Sequence, residues 1–240
     1  MSVQPLFYKK VIPLSKDQHR DYSIEPVKNF KFTSKTNSLY IAAIEFFKAS
    51  KEYPIIFAGS KDDTIFPAVI LGFRKNQNLY IDKQGKWLAN YIPAYVRRYP
   101  FILASNDGEE GNFAVCVDRS YSGFNTSNKG QRLFDINGVE SEILKQSVDF
   151  LKEYQNHIQI TASFSAKIKE ANILEPMRAN IKSNDGEELA LSGFYCVNRD
   201  KLRALPAVKL QELVKTDYLE LIYAHLNSLD NIDLLLKRLG

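Results

Sequence analysis

Pro100 to Val117 reads PFILASNDGEEGNFAVCV, and Met177 to Val197 repeats its plan as MRANIKSNDGEELALSGFYCV. Each stretch carries the hexapeptide SNDGEE, at Ser105–Glu110 and Ser183–Glu188. Each copy stands between two runs of strand-like residues, Pro100–Ala104 with Asn112–Val117 and Met177–Lys182 with Leu189–Val197. An Asp-Gly pair supplies the positive φ of a type I′ hairpin turn, so both stretches are predicted as antiparallel hairpins. A calcium loop would need a longer series of oxygen ligands closed by a bidentate acid, and neither copy has one.

Around the hairpins the pattern changes by segment. Val11 to Ile24, broken by Pro13, predicts one or two short strands. Leu39 to Lys51 is apolar on nearly every side and predicts a buried helix, stopped at Tyr53-Pro54. Ile55–Ala58 and Phe66–Phe73 predict inner strands, and Leu79–Asp82 a further short one before a Gln84-Gly85 turn. Pro93 opens, and Pro100 closes, a short helix at Ala94–Arg98. Helical spacing then covers Val139 to about Gln155 and again Ile158 to Ala171, with His157 at the junction. Near the end, Pro206 opens a helix carrying Leu210 and Leu213. Asp217 and Glu220 resemble a capping pair for the next helix, and Leu229–Leu239 makes the last. The sum is an α+β fold: a mainly antiparallel sheet with Asp-Gly hairpins, central helices and a helical C-terminal segment.

The chain of 240 residues suits a single domain spanning 1–240. With 45% apolar and 25% charged residues it has ordinary globular composition, enriched in 13 Tyr and 15 Phe beside one Trp. A net charge of +4 from 32 basic and 28 acidic residues is too mild to draw the whole molecule to nucleic acid, so no nucleic-acid partner is expected. No transmembrane segment is expected either, because no long apolar run occurs. The first residues lack the basic and apolar regions of a secretion signal, and the two cysteines suit a reducing compartment; both point to the cytoplasm.

The stretch richest in chemistry is KWLANYIPAYVRRYPF, Lys86 to Phe101. Trp87, Tyr91, Tyr95 and Tyr99 recur every four residues with Arg97 and Arg98 among them. Those six residues form the candidate ligand site, in which guanidinium groups grip a carboxylate or phosphate while rings pack against an extended chain. The alternative is that the tyrosines seal a sheet edge and the arginines face solvent. Glu45, an acid in an apolar segment, requires either water or a buried partner, for which Arg97 or Arg98 are candidates. His19 and Asp21 have the spacing of a facial iron site, needing His157 or His225 as a distal ligand; this is the only metal site the sequence suggests, and no cofactor is otherwise expected. Cys116 and Cys196 read as buried structural thiols. Phosphate loops, nucleophile elbows and common zinc signatures are absent, so no catalytic residue is assigned.

Several stretches resemble the bacterial SapC family: EFF at Glu45–Phe47, YPIIF at Tyr53–Phe57, NLY at Asn78–Tyr80 and GKW at Gly85–Trp87. YIPAY at Tyr91–Tyr95 runs into RRYPF at Arg97–Phe101, followed by GQRLF at Gly130–Phe134, GFY at Gly193–Tyr195 with Val197, and LIYAHLNSL at Leu221–Leu229. The resemblance implies a surface-layer or peptide-transport context, and supplies no catalytic residues. With the site above, it implies a non-enzymatic accessory protein that binds a protein or peptide partner. The alternative is a cytoplasmic enzyme, metal-dependent or not, built around His19, Asp21 and the Tyr91–Tyr99 segment.

Overall fold

The computed structural model describes residues 5–59, 64–105, 113–182 and 186–239. In chain order its elements begin with β1 (Val11–Pro13), α1 (Lys16–His19), β2 (Ser23–Ile24), β3 (Ser38–Tyr40), α2 (Phe46–Ala49), β4 (Ile55–Gly59) and β5 (Ile65–Ile70). Next come α3 (Ala94–Arg97), β6 (Phe101–Ser105), β7 (Phe113–Asp118), β8 (Phe124–Asn125), β9 (Gln131–Arg132) and the long α4 (Glu142–Glu170). The chain ends with β10 (Leu174–Lys182), β11 (Glu188–Val197), α5 (Arg199–Arg203), α6 (Ala207–Lys215), α7 (Tyr218–Ser228) and α8 (Asn231–Lys237). The described strand pairs are antiparallel, and the fold is α+β.

The chain divides into two compact units, each made of two segments: residues 1–32 with 96–156, and residues 33–95 with 157–240. The first unit holds two small sheets, ordered β1-β7-β6 and β8-β2-β9. Its apolar centre gathers Phe101 and Val117 from the first sheet, Ile24 and Phe124 from the second, and Leu144 and Leu151 from α4. Leu144, Val148 and Leu151 fall three or four residues apart, which puts them on one face of the helix. Burial of such side chains contributes roughly 1.5–3 kcal/mol each.

The second unit carries a five-stranded sheet ordered β10-β11-β4-β5-β3. Its central strands β4 and β5 read as near-continuous apolar runs, with Ile55, Ile56, Phe57, Ala68, Val69 and Ile70 all buried. Phe164 lies at the centre of an aromatic cluster with Phe46, Phe57 and Tyr218, at centroid separations of 5.1–6.1 Å. Both thiols are buried, Cys116 in the first unit and Cys196 in the second; burial pushes the Cys116 thiol up and that of Cys196 to about 12.

Four local expectations change. Leu39–Lys51 is not one helix: Leu39 pairs with Val69 in the β3–β5 ladder, and the chain turns helical only after Ala42. Aromatic and β-branched residues at Tyr40 and Ile41 favour the extended form, and the Glu45 carboxylate accepts the Ala42 N–H, fixing the helical start there. Leu79–Asp82 makes only an isolated bridge from Ile81 to Trp87, because Asp82 Oδ1 accepts the amides of Gln84 and Lys86 and closes a loop instead. The two central helices are one, α4, since Gln155-Asn156-His157 contains neither Gly nor Pro to break it. Asp217 caps no amide with its side chain; it sits at φ +60°, in the left-handed region.

Both expected hairpins pair as strands, β6 with β7 up to Ser105 opposite Phe113 and β10 with β11 up to Lys182 opposite Glu188. The Asp107-Gly108 turn lies outside the described residues, as does Asp185 of the second copy. Gly186 is described and has φ +88°, the backbone form for which the Asp-Gly pair was read.

Candidate functional site

The Lys86–Phe101 segment contributes to both units. Trp87, Tyr91 and Tyr95 belong to the second, and Arg97, Arg98 and Tyr99 to the first. In the second unit the segment is tied down by hydrogen bonds. The Trp87 indole N–H donates to the Tyr53 hydroxyl at 2.8 Å, and that hydroxyl donates to the Tyr91 carbonyl. The Glu52 carboxylate accepts the amides of Asn90 and Tyr91 at 2.8 and 2.9 Å. Glu45, buried within the same unit, accepts from the Tyr91 hydroxyl and the Ala94 amide, both at 2.7 Å. Trp87 is only 5% exposed, and Tyr91 and Tyr95 are half-buried.

In the first unit Tyr99 stands at the centre of an aromatic cluster. Its ring stacks on Phe32 at 4.4 Å and meets Tyr8 and Tyr121 edge-on at 5.3 and 5.6 Å. Its hydroxyl donates to Asp118 Oδ2 at 3.3 Å. Asp118 is fully buried at the end of β7 and also accepts the amides of Lys9, Lys10 and Ser120 and the Ser120 hydroxyl. Burial alone would raise its pKa; the hydrogen bonds from Lys9, Ser120 and Lys10 outweigh it and hold the carboxyl below its ordinary value. Burial first, and then the Asp118 charge, raises the Tyr99 phenol, which stays protonated and able to donate. The Tyr99–Pro100 peptide bond is cis.

The two arginines differ. Arg98 is half-buried, its guanidinium 5.8 Å from the centre of the Tyr8 ring and 5.6 Å from that of Tyr154. Arg97 is exposed and lies 5.0 Å over Phe150 of α4. Beside Arg97 and Tyr99 is a concavity of about 340 Å³, walled by Ile24, Val27, Phe30, Val96, Phe101 and Ile143, with Glu25, Gln131 and Ser147 as its other polar residues. That volume is at the lower end of small-ligand pockets. A second concavity of about 440 Å³ shares Glu25, Pro26 and Tyr99 with the first and adds Lys28, Asn29, Phe32, Ser120 and Tyr121. The arrangement offers an apolar recess with a cation and an anion among its walls.

His19 and Asp21 point to different surroundings. The imidazole is 3% exposed, packs near Tyr22 and Phe124 at 5.2 and 5.7 Å, and has Nδ1 3.1 Å from both the amide N and the carbonyl O of Ser15. The Asp21 carboxylate is exposed and pairs with Arg132 at 3.0 Å. His157 lies within α4 in the second unit. His225, also in the second unit, is fully buried, with Nδ1 donating to the Ile55 carbonyl at 2.8 Å and Nε2 accepting the Val197 amide at 3.1 Å. No group of three or more His, Cys, Asp or Glu among the described residues is placed to hold a metal ion.

Sequence reasoning missed Glu25, Phe30 and Gln131. The one local signal is Pro26, which biases Glu25 toward an extended backbone; nothing in the sequence says that this loop meets the Arg97–Phe101 segment. Among the described residues, no helix is both long and apolar enough to cross a membrane. Comparison with curated proteins and with solved structures gives no match. The SapC family model matches residues 14–235, and the chain therefore belongs to the SapC family.

Proposed function

We propose that this SapC-family protein is a non-enzymatic binding protein that takes an extended, carboxylate-bearing peptide partner on its first unit. The observation that carries the reading is the apolar recess of about 340 Å³ beside Arg97 and Tyr99. An aliphatic or aromatic side chain of the partner fills the recess, and the Arg97 guanidinium pairs with a carboxylate on the same partner. Arg98 supports the wall through the Tyr8 and Tyr154 rings, and Trp87, Tyr91 and Tyr95 hold the preceding segment of chain. A cytoplasmic accessory role in surface-layer or peptide-export systems accords with the family and with this binding mode. An enzyme built on His19 and Asp21 has less support, because the imidazole is packed inward and the carboxylate is turned to Arg132.

Calorimetric titration with N-acetylated hydrophobic peptides, each made with a free or an amidated C-terminus, tests the reading. The carboxylate form should bind more tightly, less so as salt rises, and the preference should vanish in Arg97→Gln. Equal binding of both forms, or an unchanged preference in the variant, would refute it.

A further inference from the structure

Glu25 lines both concavities of the first unit, which places an anion on the boundary they share. Its backbone is fully used: the amide donates to the Gly123 carbonyl at 2.9 Å and the carbonyl accepts the Tyr121 hydroxyl at 2.9 Å. Its side chain is not: among the described residues the exposed carboxylate has no hydrogen-bond or ion-pair partner. The peptide unit is therefore held while the charge is presented. Arg97 lines the same recess, and the walls around both are aliphatic and aromatic.

An apolar recess with one acid and one guanidinium among its walls is complementary to an apolar body that carries one cation and one anion of its own. We propose that Glu25 receives a primary α-ammonium group, so that the ligand is a zwitterion with an apolar side chain: a free amino acid of that kind, or the N-terminal residue of a short peptide. The side chain enters the recess among Val27, Phe30 and Ile143, the ammonium donates to the Glu25 carboxylate, and the carboxylate meets Arg97. The inference rests on the carboxylate-binding reading above and adds to it a preference for a free amine. The capture of chain ends by fixed charges is a recurrent mode of recognition, and exposed charge pairs of this kind contribute modestly to affinity.

The probes are leucine, leucyl-glycyl-glycine and N-acetyl-leucine, titrated calorimetrically into the full chain and into Glu25→Gln. Leucine or the tripeptide should bind about 2- to 5-fold more tightly than the acetylated compound, and that margin should vanish in Glu25→Gln. Whichever zwitterion binds more tightly identifies the source. The thermal unfolding of Glu25→Gln should match that of the wild type, since the side chain holds nothing in place. Equal binding of leucine and N-acetyl-leucine, or an undiminished margin in Glu25→Gln, overturns the inference. If acetylated peptides still bind in an Arg97-dependent way while neither zwitterion does, this inference falls and the carboxylate-binding reading survives. If nothing binds, both fall.

Discussion

Acidifying the protein from about pH 7.5 to about pH 5 should cost the second unit about 2 kcal/mol of stability through one side chain, His225. Burial, with a smaller contribution from the Arg199 charge, lowers this imidazole from 6.5 to about 4 against the opposing hydrogen bond to Ile55. The folded pKa is thus depressed, so the stability is complete above 6.5 and is lost as the pH falls toward 4. At pH 5 the unfolded chain has protonated this histidine and the folded chain has not, a gap of about 1.5 pH units at about 1.4 kcal/mol each. The ring is fully buried, so solvent does not dilute the effect. Against a total of roughly 5–15 kcal/mol for a folded domain, that is a measurable fraction. Urea unfolding followed by the fluorescence of Trp87, which is buried in the same unit, reads it directly. Carboxylates also begin to titrate near pH 5, and Glu or Asp contributions are removed by comparison with His225→Gln, whose amide can serve Ile55 and Val197 without titrating. The variant should lose about 2 kcal/mol less than the wild type between the two pH values. Equal losses would show that His225 is not held neutral by burial, and the reasoning would fail.

Asp118→Asn removes one acceptor oxygen from a buried carboxylate that serves the Lys9, Lys10 and Ser120 amides, and should destabilise the first unit by about 2–3 kcal/mol, measured by chemical denaturation. The same variant should weaken peptide binding, because Tyr99 loses a charged acceptor for its hydroxyl. Glu45→Gln turns an amide NH2 toward one of the donors of Ala42, Tyr91 and Ala94, and should cost about 1–3 kcal/mol in the same assay while leaving the carboxylate preference of the first-unit recess unchanged.

The fold was legible where one periodicity dominated. Ile55–Gly59 and Ile65–Ile70 are short, mostly apolar runs rich in β-branched residues, and at that length such composition favours an inner strand over a helix. The strand-forming runs on either side of the two SNDGEE copies do pair, as β6–β7 and β10–β11, because their β-branched and aromatic residues favour the extended form locally. Leu39–Lys51 misled because a continuous apolar run fits a buried helix and a buried strand equally, and the choice was made by a distant partner, Val69. The break expected near His157 had the opposite origin: apolar spacing on α4 drifts as its buried residues pass from Leu144 and Leu151 in the first unit to Phe164 and Ile168 in the second. A change of partner along one helix looks, in sequence, like two helices.

The site was half legible for a related reason. Arg97 and Tyr99 stand in a stretch dense with rings and cations, whereas Glu25 is an ordinary acid until β2 and β6 bring its loop to the same recess. The division of labour among these residues makes the binding proposal separable from stability. Tyr99 is fixed on three sides by Phe32, Tyr8 and Tyr121 and tethered to Asp118, so it forms a wall that cannot be altered without loosening the unit. Glu25 and Arg97 instead carry their charges on exposed side chains. Neutralising Glu25 leaves its backbone bonds to Gly123 and Tyr121 in place, and substitutions of this exposed kind are usually worth less than about 0.5 kcal/mol in stability. A loss of binding in Glu25→Gln with unchanged unfolding therefore reports on recognition itself, whereas a loss in Asp118→Asn reports on the wall that recognition requires.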